Sequence, residues 1–371
     1  MQSSLKSTRN VARPVKHAAL LPKVLVNQCD HGRIDMKFTT HTPGLSRRRF
    51  LKTSGMAAVA LGLSTPALRA QANSLKFAHI FNETQPFHKW VLWASEQIAQ
   101  KTNGRHDIQV FPNSSLGGEV DIYQGLTLGT IDMGLTGSAS ASRAYGPMAV
   151  IGGPTMFRDF DHWATYRDSD ARAEIVEGFN KASGLHAVAS VYYGQRHTTS
   201  NRLIEKPADM EGMKLRVPNV PLYLIYPRAV GANPTPISFS EVYLALQQGA
   251  VDGQENPLPT IYAQKFYEVQ SHVALTAHMI DSLVALTSGT LWSRLSDEDK
   301  AIFETVFADA MAQCTDEVLA EEASLIETLR SNGVTVNDVD QAAFRAAIAP
   351  HLVGDDLPWT KEQYEQVQAL A

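Results

Sequence analysis

The stretch LKFAHIF at residues 75–81, followed by DIQVF at residues 107–111 and IDMGL at residues 131–135, decides the fold class. Short, largely apolar runs of this kind are typical of β-strands. Between them, Pro86 opens a segment with apolar residues at helical spacing, and residues 119–128 have the same character. The order strand, helix, strand, helix, strand predicts an α/β fold with a mostly parallel sheet.

A comparable pattern restarts in the second half of the chain. Strands are predicted near residues 185–193 and 213–217, and helices near residues 221–230 and 240–248. The chain therefore predicts two α/β lobes. Because the sequence contains no Gly/Ser-rich linker and no repeat, we expect strand crossings to join the lobes and to form a hinge.

A long helix is predicted near the C-terminal end. Ser296 is a suitable N-cap and Asn332-Gly333 a suitable end, so the helix should run to about Ser331. At roughly 1.5 Å rise per residue it would be about 50 Å long, enough to pass along both lobes. Its predicted apolar side consists of Ile302, Phe303, Val306, Met311, Val318, Leu319 and Ile326.

The N-terminal region has the order of an export signal. The basic segment SRRRFLK at residues 46–52 precedes a modest apolar run at residues 56–63 and the small-residue site Ala70-Gln71-Ala72. The paired arginines followed by Phe-Leu-Lys fit the twin-arginine type, and the apolar run is too short to span a membrane. A basic amphipathic helix is the alternative. The signal predicts a periplasmic protein.

Cleavage after Ala72 would leave a mature chain of 299 residues that begins at Asn73. Met36 is a candidate start codon, because residues 1–35 precede an unusually late signal. Cys29 lies before the signal and only Cys314 remains after it, so the mature chain cannot form an intramolecular disulfide.

The mature part would carry 21 basic and 36 acidic residues, a formal net charge of −15. Such a surface repels phosphate backbones, which disfavours nucleic-acid binding. The sequence contains no CxxC, HExxH, GxSxG or P-loop pattern, and its histidines are scattered. We predict neither a metal nor a cofactor.

The most specific sequence lies between residues 193 and 270. Its motifs, in this order, are YGQRHTTSNR (193–202), KLRVPN (214–219), GANPTP (231–236), FSEVYLALQ (239–247), DGQENP (252–257) and QKFYEVQ (264–270). These motifs resemble those of DctP-type extracytoplasmic binding proteins of TRAP transporters, and the resemblance covers essentially the whole mature chain. Within that family this region is most similar to sialic-acid-binding members.

The resemblance implies a periplasmic-binding-protein-like fold in which two α/β lobes close on a ligand in the cleft between them. After an extension and signal at residues 1–72, we expect lobe I at residues 73–193 and 282–321, and lobe II at residues 194–281 and 322–371. The long helix should span both lobes. The implied partners are a carboxylate ligand and the small and large membrane subunits of a TRAP transporter.

Arg216 is the strongest candidate for ligand contact. A guanidinium stays charged when water is excluded and offers a carboxylate two parallel N–H donors, although an arginine tied to a neighbouring acid is the alternative. The resemblance implies that Arg216 grips a carboxylate, that Arg196 is a second contacting arginine, and that Asn256 supports the same group. It also implies that Asn219 and Phe239 line the pocket, where a helix cap and a core aromatic are the alternatives.

The other end of the cleft departs from the sialic-acid pattern. Ile80 lies in a loop that is polar in those members, Gly137 stands where they have a glutamate, and Glu119 falls where they have an acidic residue. Each buried hydrogen-bonding group of the ligand left unpaired costs about 1 to 3 kcal/mol. We therefore expect another carboxylate, namely a sugar acid, a hydroxy or oxo acid, a dicarboxylate or an aromatic acid.

Two other functions would use the same residues. A ligand-sensing protein that reports to a membrane receptor would have the same cleft. An exported enzyme acting on a carboxylate would need a nucleophile next to a base. The sequence offers His79 or Glu119 as bases but no such pair, so we predict a binding protein without catalytic residues.

Overall fold

The computed structural model describes residues 73–354 and 356–370, and the predicted export signal, Met36 and Cys29 lie outside them. The described strands are β1 (Asn73–Ala78), β2 (His106–Phe111), β3 (Met133–Gly137), β4 (His186–Ser200), β5 (Lys214–Val217), β6 (Asn233–Pro236), β7 (Gly253–Pro257), β8 (His272–Thr287) and β9 (Thr335–Asn337). The described α-helices are α1 (Pro86–Lys101), α2 (Glu119–Leu128), α3 (Ser138–Ala141), α4 (Phe160–Arg167), α5 (Asp170–Ser183), α6 (Ile225–Ala229), α7 (Val242–Gln247), α8 (Leu258–Ala263), α9 (Gly289–Trp292), α10 (Asp297–Ser331), α11 (Gln341–Ile348) and α12 (Lys361–Gln368).

The strands form one mixed sheet in the order β2-β1-β3-β8-β4-β7-β5-β6, and β9 also pairs with β8. Outer neighbours such as β1 and β2, or β5 and β6, are parallel. In the centre of the sheet each strand is antiparallel to its neighbour, in the order β3, β8, β4 and β7. The expectation of a mostly parallel sheet is therefore wrong for the centre, because β8 returns from the second half of the chain against both β3 and β4.

Strands β4 and β8 belong to both lobes. β8 pairs with β3 at residues 283–287 and with β9 at residues 272–274, while β4 pairs with β7 only at residues 196–200. One half of each long strand thus lies with β1–β3, and the other half with β5–β7. The register of the pair shifts between Tyr192 and Gly194, and shifts of this kind bend a strand. Two lobes joined by strand crossings confirm the predicted architecture.

Helix α10 confirms the predicted long helix. It contains 35 residues, and the Ser296 hydroxyl accepts the main-chain N–H of Asp299 at its start. The helix packs against α1 and β4 of the first lobe and against α8 and β9 of the second. Its buried face includes Phe303, Val306, Phe307, Ala310, Met311, Cys314, Val318, Leu325 and Leu329.

The buried apolar residues fall into two clusters. The larger cluster extends from β1 and α1 through the centre of the sheet to Phe344. The smaller cluster lies in the second lobe, where Val242, Ile261 and Phe266 pack with Leu325 and Leu329 of α10. Within the described part of the chain, no helix has both the length and the apolar character needed to cross a membrane.

Candidate ligand-binding site

A cavity of about 270 Å³ lies between the two lobes. The structure brings every predicted ligand-binding residue to its wall: Ile80, Glu119, Gly137, Arg196, Arg216, Asn219, Phe239 and Asn256. Sequence reasoning assigned no role to other residues of the wall, including Asp121, Thr136, Tyr223 and Ser238. The geometry of each predicted residue indicates what it offers to a ligand.

Arg216, on β5, is 2% exposed. Its Nε and Nη2 donate to the carbonyl oxygen of Ile237 at 3.0 and 2.7 Å. Among the described residues, its Nη1 has no hydrogen-bond partner. Burial lowers the pKa of Arg216 to about 10, despite the opposing influence of Glu255. The cavity wall therefore contains a desolvated cation with a free donor.

Arg196, on β4, is equally buried but differently surrounded. Its Nη2 donates to Oε1 of Glu255 at 2.9 Å, and its Nη1 donates to Oδ2 of Asp281 at 2.9 Å. Burial opposes the charge, but Glu255, Tyr223 and Asp281 outweigh it and raise the pKa of Arg196 well above its ordinary value. The alternative of an arginine tied to neighbouring acids thus describes Arg196 and not Arg216.

The pKa values of the two acids behind Arg196 are shifted in opposite directions. Burial favours the neutral form of Glu255, but Arg196 and His278 outweigh it and lower the pKa of Glu255 to about 2. For Asp281 burial dominates and raises the pKa to about 6, although Tyr223 donates to Oδ2 at 2.8 Å. The signal for Asp281 was present in the sequence, as an acid inside the apolar run at residues 279–286.

Asn256, on β7, is fixed from several sides. Its Oδ1 accepts from the hydroxyl of Tyr193 at 3.3 Å and from Nη2 of Arg196 at 3.2 Å. Its Nδ2 donates to Oε1 of Gln254. An amide nitrogen carries two N–H donors, so Asn256 retains a donor beyond the one that Gln254 accepts.

Glu119 and Gly137 form the polar part of the first lobe's wall. Glu119 is the first residue of α2, and its Oε1 accepts the main-chain N–H of Gly137 at 2.6 Å. A Cβ atom at position 137 would lie 2.9 Å from that oxygen. The carboxylate of Glu119 therefore occupies space that a side chain at position 137 would need.

The remaining predicted residues complete the enclosure. Asn219 follows β5, and its carbonyl oxygen accepts from Nη2 of Arg143, which comes from the first lobe. The guanidinium of Arg216 lies 6.0 Å from the ring centre of Phe239. Ile80 follows β1 and is partly buried in the wall. Asn219 thus lies where the two lobes are in contact across the cleft.

A cleft enclosed by two hinged lobes, with a free guanidinium donor in its wall, defines a two-lobed binding protein for small molecules. Residues 77–353 match the DctP model, whose description is bacterial extracellular solute-binding protein, family 7. The chain therefore belongs to this family, as the resemblance predicted.

Named relatives agree with this assignment. A solute-binding protein of Roseobacter denitrificans is 38% identical over 309 residues, which cover 81% of this chain and 93% of that protein. The sialic acid-binding periplasmic protein SiaP of Vibrio cholerae is 37% identical over 260 residues, or 69% of this chain and 80% of SiaP. These relatives are solute-binding proteins, and SiaP is named as periplasmic.

A solved structure extends the comparison to the fold. The crystal structure of a TRAP periplasmic solute-binding protein from Roseobacter denitrificans, with bound L-galactonate, matches with a TM-score of 0.75 and 34% sequence identity. The match covers 80% of this chain and 98% of that chain. The chain is thus a solute-binding protein of the TRAP type.

Proposed function

We propose that the protein captures a sugar acid in the periplasm and delivers it to the small and large membrane subunits of a TRAP transporter. The observation that carries this proposal is Arg216, which lines the cavity and whose buried Nη1 has no hydrogen-bond partner in the described part of the chain. A carboxylate bound there would supply the missing acceptor and an opposite charge, and both favour binding in a site that excludes water. The bound L-galactonate of the Roseobacter denitrificans protein is such an acid.

Glu119 supports a polyhydroxyl acid over a dicarboxylate. Its carboxylate lies in the cavity wall and accepts hydrogen bonds, so it suits ligand hydroxyl groups and repels a second carboxylate. The volume of the cavity, about 270 Å³, lies just below the range of about 300 to 1,000 Å³ that is usual for ligand pockets. Its size favours a short acid over sialic acid, although SiaP is a relative.

Closure of the lobes on the ligand forms part of the proposal. We expect lobe I at residues 73–193 and 282–321 and lobe II at residues 194–281 and 322–371, with hinges where the long strands cross. A ligand shifts such an equilibrium only through its greater affinity for the closed state. Contacts to Arg216 from one side and Glu119 from the other would provide that difference.

Thermal denaturation tests the ligand and its anchor together. Because a ligand that binds the native state raises the melting temperature, L-galactonate and related sugar acids should stabilise the protein more than succinate, benzoate or sialic acid. The shift should disappear in Arg216→Ala and remain in Arg228→Ala, which changes an exposed arginine of the second lobe. A shift that is indifferent to Arg216 would contradict the proposed anchor, and no shift with any acid would contradict the ligand class.

Export through a twin-arginine signal is also proposed, from Arg47 and Arg48 in the segment SRRRFLK. Replacing both by lysine should leave the precursor in the cytoplasm, as measured by cell fractionation. Arg49→Lys, which changes the neighbouring position outside the pair, should be exported normally. Unchanged export of the double variant would point to a different signal.

A further inference from the structure

A continuous chain of hydrogen bonds between side chains enters the binding site from the first lobe. It begins at the main-chain N–H of Asn82, which donates to Oε1 of Gln85 at 3.0 Å. Nε2 of Gln85 donates to Oγ1 of Thr260 in the second lobe at 3.1 Å. Thr260 donates to the hydroxyl oxygen of Tyr193 at 3.1 Å, and Tyr193 donates to Oδ1 of Asn256 at 3.3 Å.

The chain continues beyond Asn256 in the same direction. Nδ2 of Asn256 donates to Oε1 of Gln254, whose Nε2 donates to Oγ1 of Thr199 at 3.2 Å. Thr199 donates to Oε1 of Gln270 at 3.1 Å, and Nε2 of Gln270 donates to the carbonyl oxygen of Val269 at 3.1 Å. Every side chain of this chain is buried: Gln85, Thr260, Tyr193, Asn256, Gln254, Thr199 and Gln270.

Both ends of the chain are main-chain groups with fixed polarity. An N–H can only donate and a carbonyl oxygen can only accept, so the two ends require every bond between them to point the same way. If Asn256 alone turned over, its Nδ2 would face the donors of Tyr193 and Arg196, and its Oδ1 would face the acceptor of Gln254. Buried polar groups left without partners are costly, so the chain fixes the orientation of the Asn256 amide.

We propose that Gln85 is a positioning residue that acts through Thr260 to set the direction in which Tyr193 donates, and so holds Asn256 as a hydrogen-bond donor towards an ionised carboxylate. Neither Gln85 nor Thr260 lines the cavity. The inference rests on the proposed function, since it assumes that an acid binds beside Arg216 and Asn256. It predicts that a residue of the first lobe outside the cavity controls the preference for an acid over its neutral amide.

The variant Gln85→Glu reverses the donor order with little change of shape. A carboxylate at position 85 accepts from Thr260, so Thr260 must then accept from Tyr193, and Tyr193 no longer donates to Asn256. The Tyr193 oxygen then faces the Asn256 oxygen at 3.3 Å, and two acceptors at this distance repel each other. This repulsion drives the Asn256 amide to turn its oxygen towards the ligand, against its bonds with Arg196 and Gln254. A hydrogen bond to a charged group contributes about 1.5 to 3 kcal/mol, so the affinity for L-galactonate should fall at least about tenfold. The affinity for L-galactonamide, which brings its own N–H donors, should change less than about twofold.

A double variant separates donor order from simple charge repulsion. Thr260→Val cuts the chain but leaves Tyr193 free to donate to Asn256, so its affinity for L-galactonate should stay within about threefold of the wild-type value. The double variant Gln85→Glu with Thr260→Val keeps the new charge at position 85. Without the hydroxyl of Thr260, however, this charge cannot reverse the direction in which Tyr193 donates. Measured by calorimetric titration of the full chain at pH 8.5, the double variant should behave like Thr260→Val.

The outcomes distinguish the two levels of the proposal. If the double variant loses as much affinity for the acid as Gln85→Glu does, charge acts through space and the positioning role is overturned. If Gln85→Glu loses affinity for the acid and the amide equally, or loses none, the role is likewise overturned. A wild-type protein that binds neither probe overturns the proposed function, and the positioning role with it. Should Gln85→Glu fail to fold, Tyr193→Phe must weaken acid binding several-fold more than amide binding.

Discussion

The main-chain N–H of Gly137 donates to Oε1 of Glu119 at 2.6 Å, in a position where a Cβ atom on residue 137 would lie 2.9 Å from the same oxygen. The conformation of Gly137, with φ of −62°, is open to any residue. Space for the Glu119 carboxylate, and not backbone strain, therefore accounts for glycine at this position. A side chain at position 137 would therefore push the Glu119 carboxylate out of this hydrogen bond.

Gly137→Ala should displace the Glu119 carboxylate from the cavity wall. The fold should persist, with the unfolding free energy lowered by less than about 1 kcal/mol, because the backbone needs no change. The affinity for L-galactonate, measured by titration calorimetry, should fall about tenfold as a charged acceptor for a hydroxyl group is lost. Gly118→Ala is the control, since a Cβ there meets only ordinary contacts, and an equal loss in both variants would contradict this account.

Arg216→Met should separate binding from stability. Removing the charged donor to a ligand carboxylate should weaken acid binding at least about tenfold. The ligand-free protein should instead become more stable, by about 1 kcal/mol, because the wild-type cation is buried without a carboxylate partner and its pKa is lowered to about 10. Urea unfolding without ligand measures this effect, and a loss of stability would mean that Arg216 is satisfied within the protein.

Arg196→Met should have the opposite effect on stability. The variant leaves Glu255 and Asp281 buried without their cation, and breaking a buried pair from one side costs about 3 to 5 kcal/mol. Chemical denaturation of the ligand-free variant should therefore show a large loss of unfolding free energy. The control Arg228→Ala, at an exposed position, should lose less than about 0.5 kcal/mol. A small loss would show that the two acids become neutral or find other partners.

The contrast between these two arginines was not predictable from the sequence. Both lie in specific motifs, and the resemblance implied ligand contact for both. The difference arises from β7 and β8, which bring Glu255 and Asp281 to Arg196 from positions far along the chain. Partners of this kind depend on tertiary pairing and leave no local spacing to detect.

The elements that could be predicted are those with local signals. α10 has a serine cap, a helical apolar period and a terminal Asn-Gly, and its ends agree with the prediction. β8 was missed because it is buried on most of its length, so it lacks the alternation of a half-buried strand. β6 was also missed because its sequence, Asn-Pro-Thr-Pro, contains two prolines and only one strand-favouring residue. Prolines are nevertheless tolerated at the edge of the sheet, where β6 lies.

Glu322 should make the stability of the protein depend on pH near neutrality. On α10, its Oε1 accepts the main-chain N–H of Gln195 at 2.7 Å, and its Oε2 accepts from the hydroxyl of Tyr192 at 3.0 Å, where β4 changes register. Burial raises the pKa of Glu322 to about 7, although both hydrogen bonds oppose the change. In the unfolded chain the pKa of Glu322 returns to its ordinary value of 4.5.

The folded state therefore binds more protons than the unfolded state between about pH 4.5 and 7, and the contribution of Glu322 to stability grows as the pH falls through this window. Glu322→Gln removes that contribution. The variant should exceed the wild-type protein in unfolding free energy at pH 8 by about 2 kcal/mol and lose this advantage by pH 5. Urea unfolding from pH 5 to 8 measures the difference, in which the titration of Asp281 cancels because both proteins share it.

Glu327→Gln, which changes an exposed position on the same helix, is the control. The dependence of its unfolding free energy on pH should run parallel to the wild-type curve. If the pH dependence of the Glu322→Gln variant also runs parallel to that of the wild-type protein, Glu322 is already ionised in the folded protein. The contacts of Glu322 at the register shift of β4 would then not titrate in this pH range.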